Sequence, residues 1–510
     1  MGIEAIFIAL CILYSGIQII LCKYDLSSPF FAKGDPIRGD WAINHDERMC
    51  LFDARGWYLK RFDKRLYSPQ DYLPYPVCAA FGIFVAIIDY LGFRLLGLNN
   101  RGLRLFCILL HLLSNVFVVL SLFKVASPLI ASIAALVFLL NWNHFVFTMK
   151  PTPEGVFTVW LSGTLFLYLY YPEVYRSYWW LVAFLSASSI LVKVNLPIIQ
   201  LCLILCINIV ALSFIETLEG IGLFVLGLIF FELLQLLVLW QMGVVKTRFY
   251  NLYMVSKVHT GREVRPIILG FSVFYVFVNV FLEWFCINKN PYDHKRPKGV
   301  IYPLTVLFLW VLLAIILQQS DSVLVSMPLF LVLSLLTVAP FLFCMKRFIS
   351  LFPVAFIMIV AVIDLLVGMA GSWGYLIVTV LSIFAMIAIF RQIRLGQGCY
   401  AERSVKIAEI CRYIDEKLQY GAHIYCHLFA FRASWQIKKH RLYVADDGVM
   451  VNQQVFDWAV NKGGGHLLLT TGGGGMSPER WSLLRPFTTK MVTNSDVDVK
   501  ALVILYEFDI

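Results

Sequence analysis

The sequence predicts a polytopic α-helical membrane protein with about thirteen transmembrane helices and a small C-terminal α/β domain outside the membrane. Three observations predict it. Hydrophobic residues make up 60% of the 510 and charged residues only 15%, with a mean hydropathy of +0.77. A soluble domain is nearer to half apolar and a quarter charged. The apolar residues gather into segments of roughly 20, the length a helix needs to cross the hydrocarbon core. Two long polar segments, 23–76 and 391–510, interrupt them. The expected division is a membrane domain over 1–390, with 23–76 as a first outer loop carrying interfacial helices, and an extracytoplasmic domain over 391–510.

The formal net charge of +10 is small for this length. It suits basic juxtamembrane loops and an anionic lipid partner better than nucleic acid, since no long basic run or basic helix occurs, and no nucleic-acid partner is expected. The twelve cysteines include no CxxC pair, and most lie in apolar segments (Cys11, Cys107, Cys202, Cys206, Cys344), where they act as small hydrophobes. Cys50, Cys399, Cys411 and Cys426 fall in polar regions, and spacing does not pair them. The nine histidines form no HExxH cluster, so neither a metal nor another cofactor is expected.

Taken in order, residues 2–22 are apolar with no small-residue cleavage site before Lys23, which predicts a retained first helix. Further spans are expected at about 77–98, 104–124, 128–147, 153–171, 178–193, 194–216, 219–241, 266–287, 300–318, 323–345, 350–368 and 372–391. With the N-terminus inside, the first loop and the C-terminal domain lie outside, and the cluster Arg94, Arg101, Arg104 lies inside, as the positive-inside rule asks. The loops around Asp321 and 288–299 run against that rule. Lys193, Asn195 and Pro197 break 178–216, leaving one bent crossing, two crossings or a partial re-entry open.

Asp89, His111, Lys193, Glu232, Glu283 and Asp364 fall within spans, where charge is costly, so they are expected to face the protein interior or a wet cavity. Asp89, Glu283 and Asp364 lie nearer span ends, where structural pairing accounts for them; Glu232 is the most central. Past 391, strand-length apolar runs at Ile424–Leu428, Leu442–Ala445, Leu467–Thr471 and Ala501–Phe508 alternate with helical patterns at Val405–Leu418 and Gln453–Asn461. The glycine runs 463–465 and 472–475 lack the Lys-Ser/Thr or GxGxxG context of a phosphate loop and are expected to be turns.

The first loop is the most chemical stretch. It holds eight acidic and nine basic residues, with Trp41, Trp57, Tyr58, Tyr67, Tyr72 and Tyr75 of the kind that sit at headgroups. A connection of this length without a function is uncommon. Adjacent carboxylates at Asp46-Glu47 with clustered arginines suit chemistry on an anionic lipid-linked substrate; a solvated structured loop is the plain alternative.

In this order along the chain, HDERMCLFDARGWY at 45–58, FRLLGLNNRGLRL at 93–105, MKPTPEGVFTVW at 149–160, ILVKVNLP at 190–197 and MKRFISLFP at 345–353 resemble segments of the GT-C polyprenyl-phosphate-sugar glycosyltransferases. The similarity is to the branch that holds the protein O-mannosyltransferase-like and lipid A aminoarabinose transferase-like enzymes. The order of motifs carries it. Two departures stand out: Gln70-Asp71-Tyr72-Leu73-Pro74 replaces a Lys ahead of a Pro-Pro step, and Arg48 follows the acidic pair directly.

The resemblance implies an inverting transfer of a sugar from polyprenyl phosphate to an acceptor hydroxyl on a glycan, glycolipid or protein. The site is then on the extracytoplasmic side of the cell inner or plasma membrane. A carboxylate takes the acceptor proton, Asp46 first and Glu47 second, with Asp35 and Asp40 in reserve. Cations hold the leaving phosphate, from Arg48, Arg55, Lys60 and Arg61 in the loop and Lys346 and Arg347 from the far end of the chain. Each of these alone also fits ordinary snorkelling. Other classes share features. A transporter or flippase of lipid-linked sugar needs no long acidic loop and more often shows internal repeats. An O-antigen polymerase or ligase places its long loop later. A non-catalytic scaffold is the third.

Overall fold

The computed structural model describes residues 2–24, 45–61, 64–66, 72–73, 76, 78, 82–260, 350–396, 408–409, 411–416, 423–427, 435–445, 466–469, 488–491 and 504–508. The expected spans 266–287, 300–318 and 323–345, with Glu283, Lys346 and Arg347, lie outside these residues. So do Asp35 and Asp40. The described chain is an integral, mainly helical membrane bundle, with five helices long and apolar enough to cross a bilayer.

Helix α1 (Ile3–Leu21) is the first span. The first loop contributes α2 (His45–Leu59) and two short strands, β1 (Lys64–Leu66) and β2 (Tyr72–Leu73). Then come α3 (Phe84–Leu96) and α4 (Asn100–Val125), the central helix, which packs against α1, α3, α5 (Pro128–Leu139), α7 (Pro153–Tyr170) and α12 (Phe352–Ala370). A short α6 (Trp142–Phe147) follows α5. Next are α8 (Pro172–Ser186) with a 3₁₀ turn over Ala187–Leu191, α9 (Leu196–Ala211), α10 (Phe214–Gln241) and α11 (Val245–Thr260). Helix α13 (Ser372–Gly396) leads out of the bundle.

Local chemistry explains the ends. The Asn99 side chain accepts from the Arg101 and Gly102 amides to start α4, and Thr152 does the same for α7 through Gly155. Ser213 and Glu216 form a capping box at α10. Pro opens α5, α7 and α8, where its missing N–H costs nothing. Helices α10 and α13 leave Phe214, Trp240, Trp373 and Phe390 exposed, as a lipid-facing surface does.

The ends of the helices fix the topology. Arg104, near the start of α4, donates to the carbonyls of Cys22 and Tyr24 just past α1, at 2.8 and 2.6 Å, and Asn100 donates to Lys23 O. The other end of α1 is marked by Glu4, which accepts from Tyr170 at the end of α7. The start of α4 therefore lies on the side to which α1 delivers the first loop. Helix α3 runs back to that same side, since Phe93 stacks on Trp435 and touches Tyr58 of α2. This corrects two expectations. Segment 77–98 is not a crossing, and Arg94, Arg101 and Arg104 share a side with the first loop instead of opposing it. The physical reason is size: α3 has only 13 residues, about 20 Å of helix, and folds against α4 as a hairpin.

That hairpin depends on glycine. A Cβ at Gly92 would stand 1.9 Å from Gly102 O, and Gly97 turns the chain at φ +81. Gly92→Ala is expected to force α3 and α4 apart and cost roughly 1–3 kcal/mol or more. The check is the melting temperature of the folded peak in detergent; an unchanged value would show that the helices separate freely.

The broken region 178–216 is a two-legged hairpin. Gln200 bonds Ser186 near its turn, and Tyr175 bonds Asn208 at its open end. The turn itself is buried: Lys193 is 6% exposed.

Among the described residues one mixed sheet has the strand order β2-β1-β4-β3-β5-β7-β6. Its later strands are β3 (His423–His427), β4 (Arg441–Ala445), β5 (His466–Leu469), β6 (Thr488–Met491) and β7 (Ile504–Phe508). β1 pairs in parallel with β4, placing Lys64 opposite Tyr443. Strands of one sheet cannot sit on opposite faces of a bilayer. The first loop and the C-terminal strands therefore share a side, called here the loop side.

Candidate active site on the loop side of the bundle

The chemistry-bearing element is α2. Its buried side chains Cys50, Leu51, Phe52 and Ala54 pack toward the bundle, and Trp57 and Tyr58 meet Tyr90 and Phe93 of α3 edge to face. Asp53, fully buried, accepts from the Cys78 amide and ties the helix to the chain that leads into α3. The helix ends in a Schellman motif: Arg61 N–H donates to Gly56 O at 3.1 Å, Lys60 N–H to Trp57 O at 3.4 Å, and Lys60 takes φ +51 where glycine is usual.

Asp46 and Glu47 are the second and third residues of α2. A helix N-terminus carries partial positive charge and favours ionised carboxylates there, the form a proton acceptor needs. The side chains of α2 are described from Cys50 onward, so those of Asp46, Glu47 and Arg48 lie outside the described set.

The basic residues expected beside them separate into two groups. At 1.5 Å per residue, Arg55 and Lys60 stand about 14 and 21 Å along the chain axis from Asp46, more than one phosphate spans. Arg55 is fully buried and donates to the carbonyls of Trp435, Ile437 and His440 at 2.9, 2.5 and 3.5 Å. Arg61 donates to those of Lys439, Lys438 and His440 at 2.8, 2.5 and 3.1 Å. Their guanidinium groups thus bond backbone carbonyls of the 435–440 segment. Lys60 is exposed. Arg48 alone of the loop group shares the first turns of α2 with the acidic pair, because a 3.6-residue period puts it within one turn.

Below α2 the bundle holds two charge pairs, one half-buried and one buried. Glu232 of α10 accepts from Arg248 of α11 twice, both at 2.9 Å, with Arg248 1% exposed. Near them Asn251 donates to Pro76 O and Gln235 accepts from the Ile83 amide, fastening both ends of the chain that enters α3. Glu232, the most central acid of the spans, therefore has a partner. The second pair is Glu154–Lys193 at 2.6 Å, 2% and 7% exposed at the side chains. It joins the start of α7 to the buried turn after α8. His111 of α4 lies beside it, its Nε2 within 3.3 Å of where a Cβ on Gly155 would be. Segment 141–154 is polar and buried nearly throughout: Gln18 of α1 donates to Phe145 O and Thr148, and His144 bonds Asn115. Asp364 is structural, accepting from the amide and hydroxyl of Ser127 at 3.0 and 2.6 Å on the side away from the loop. Asp89 is buried on α3.

Sequence reading did not single out Asp53, Glu154 or Arg248. Glu154 and Lys193 each lie inside a quoted motif, and two opposite charges in apolar surroundings are the signal that pairs them. Arg248 follows a span in a plain polar stretch and gives no such signal. No group of three His, Cys, Asp or Glu side chains fit to hold a metal ion occurs among the described residues. In the C-terminal part, burial pushes the Cys411 thiol up to about 12, helped by Asp415, which keeps it protonated and inert.

Two solved structures align over nearly the whole chain. One is ArnT from Cupriavidus metallidurans bound to undecaprenyl phosphate, with a TM-score of 0.57 at 14% identity, covering 98% of this chain and 97% of that one. The other is the same enzyme in the apo state, with a TM-score of 0.52 at 15% identity and the same coverage. The chain has the GT-C fold. No family model matches it, and no curated protein matches it in sequence. At this identity the likeness is one of overall architecture.

Proposed function

We propose that this GT-C chain is an inverting glycosyltransferase that moves a sugar from a polyprenyl phosphate to an acceptor hydroxyl. In this reading the loop side is the extracytoplasmic face of the inner or plasma membrane, and 391–510 forms the outer α/β domain. The observation that supports it best is the placement of the acidic pair in the first turn of α2, at the loop-side end of a GT-C bundle. The lipid-bound state of the aligned ArnT structure supports a polyprenyl-phosphate donor. The acceptor is a glycan, a glycolipid or a protein.

The acceptor oxygen attacks the anomeric carbon while the bond from that carbon to the phosphate oxygen breaks. Asp46 takes the hydroxyl proton, and Glu47 beside it raises the proton affinity of the pair. The departing polyprenyl phosphate gains negative charge, which Arg48 and the Lys346-Arg347 pair neutralise. Arg55 and Arg61 hold α2 in place, and Lys60 ends it. The reaction calls for no cofactor.

The test is transfer by the purified protein from a panel of polyprenyl-phosphate sugars to acceptors in membrane extract. Product with one donor is expected. Movement of intact donor across vesicles without transfer would favour a flippase. Neutralising Arg48, Lys346 and Arg347 together is expected to raise the donor KM by on the order of tenfold or more, since each charge-assisted bond is worth about 1.5–3 kcal/mol. An unchanged donor KM would leave these residues a membrane-anchoring role.

A further inference from the structure

Arg55 and Arg61 have a shared partner that no sequence pattern announces. Arg55 and Arg61 reach five carbonyl oxygens of one hexapeptide, 435–440, about 380 residues along the chain. The hexapeptide is curled so that its carbonyls face α2. On its outer side Asp415 accepts from the Lys438 and Lys439 amides at 2.8 Å each, which holds the curl. His440, wholly buried, lies 3.8 Å from the same carboxylate. The result is a carbonyl cradle whose occupants are two guanidinium groups of the same chain.

Such an attachment differs from the apolar contacts beside it. The Phe93–Trp435 stack and the Tyr58–Phe93 contact tolerate sliding, because dispersion and burial are non-directional. Hydrogen bonds from planar guanidinium forks are directional. Two of them, at and just beyond the end of a helix, fix both its rotation and its axial position. β1, paired with β4 directly after the cradle, supplies a third point. All three lie at the C-terminal end of α2, and the helix transmits their placement about 20 Å to Asp46 and Glu47 at its start.

We propose that the 435–440 segment positions the acidic pair, with Arg55 and Arg61 as positioning residues and the C-terminal domain thereby a working part of the site. This rests on the glycosyltransferase reading for its catalytic consequence, while the dock itself stands on the hydrogen bonds alone. A displacement of about 1 Å in a reacting group costs on the order of a hundredfold in rate. Loosening one of three attachment points is therefore expected to lower kcat by roughly tenfold or more, with the donor KM kept within about twofold.

The experiment uses the full-length chain in detergent with Arg55→Ala, Arg55→Lys, Arg61→Ala and Asp415→Asn. Donor kcat and KM and the hydrogen exchange of the 45–59 amides are measured for each. The expected result is a graded kcat, wild type above Arg55→Lys above Arg55→Ala, at constant donor KM. Loss of exchange protection over 45–59 and partial recovery of the Arg55→Ala rate by added methylguanidinium should accompany it. Asp415→Asn keeps both arginines and serves if Arg55→Ala does not fold; its kcat is expected to fall in the same way. Unchanged exchange and unchanged kcat in the folded variants would overturn the proposal, as would a loss that methylguanidinium does not relieve and that follows the folded yield. If the wild-type chain transfers no sugar, the glycosyltransferase reading fails, and the exchange arm still decides whether the cradle holds α2.

Discussion

Asp46→Asn is expected to lower single-turnover transfer at saturating donor by on the order of a hundredfold or more, with donor binding retained. The substitution preserves size and most hydrogen bonding but removes the lone pair basicity that accepts a proton, and a positioned general base contributes about 10²–10⁴ in rate. The first turn of α2 is a favourable place for such a base, because the helix end stabilises the ionised form without a metal. Glu47→Gln is expected to cost less, since the neighbouring carboxylate tunes the base and does not itself meet the acceptor. The controls are Asp35→Asn and Asp40→Asn. A wild-type rate for Asp46→Asn would move the assignment to whichever of the four variants is inactive.

Lys193→Met is expected to destabilise the chain by roughly 3–5 kcal/mol, because it leaves Glu154 as a buried charge whose 2.6 Å partner is gone. That is a large share of a typical domain's 5–15 kcal/mol. The pair closes the turn between α8 and α9 onto the start of α7, deep in the bundle, so its loss is expected to loosen three helices together. Glu154→Gln with Lys193→Met removes both charges and is expected to recover most of the loss, since well-packed neutral replacements of a buried pair are often neutral. The measurement is the melting of the folded fraction in detergent for both single variants and the double. A double variant that melts below either single would show that the charges matter for more than each other.

The membrane class was legible because hydrophobicity is additive along the chain: a run of about twenty apolar residues is a span wherever it is placed. α1, α4, α10, α12 and α13 were read that way, and the GT-C fold that the resemblance implies is the one the structure shows. Segment 77–98 was misread for the same reason. Its apolarity is real, but α3 spends it on a glycine-tight hairpin with α4 and turns back. Hydropathy measures burial and does not tell protein from lipid.

The strands of 391–510 were legible in part as short apolar runs; that β1 and β2 of the first loop complete their sheet was not, because strand pairing is decided between distant segments. The same limit applies to the charges. The sequence by itself determined that Asp89, His111 and Lys193 would face the protein interior and that an acidic pair stands in the first loop. Only the tertiary structure decided the partners: Arg248 for Glu232, Lys193 for Glu154, and the carbonyls of 435–440 for Arg55 and Arg61. A charge declares in sequence that it needs a partner, but Coulomb attraction acts through space and leaves no mark of where along the chain that partner is.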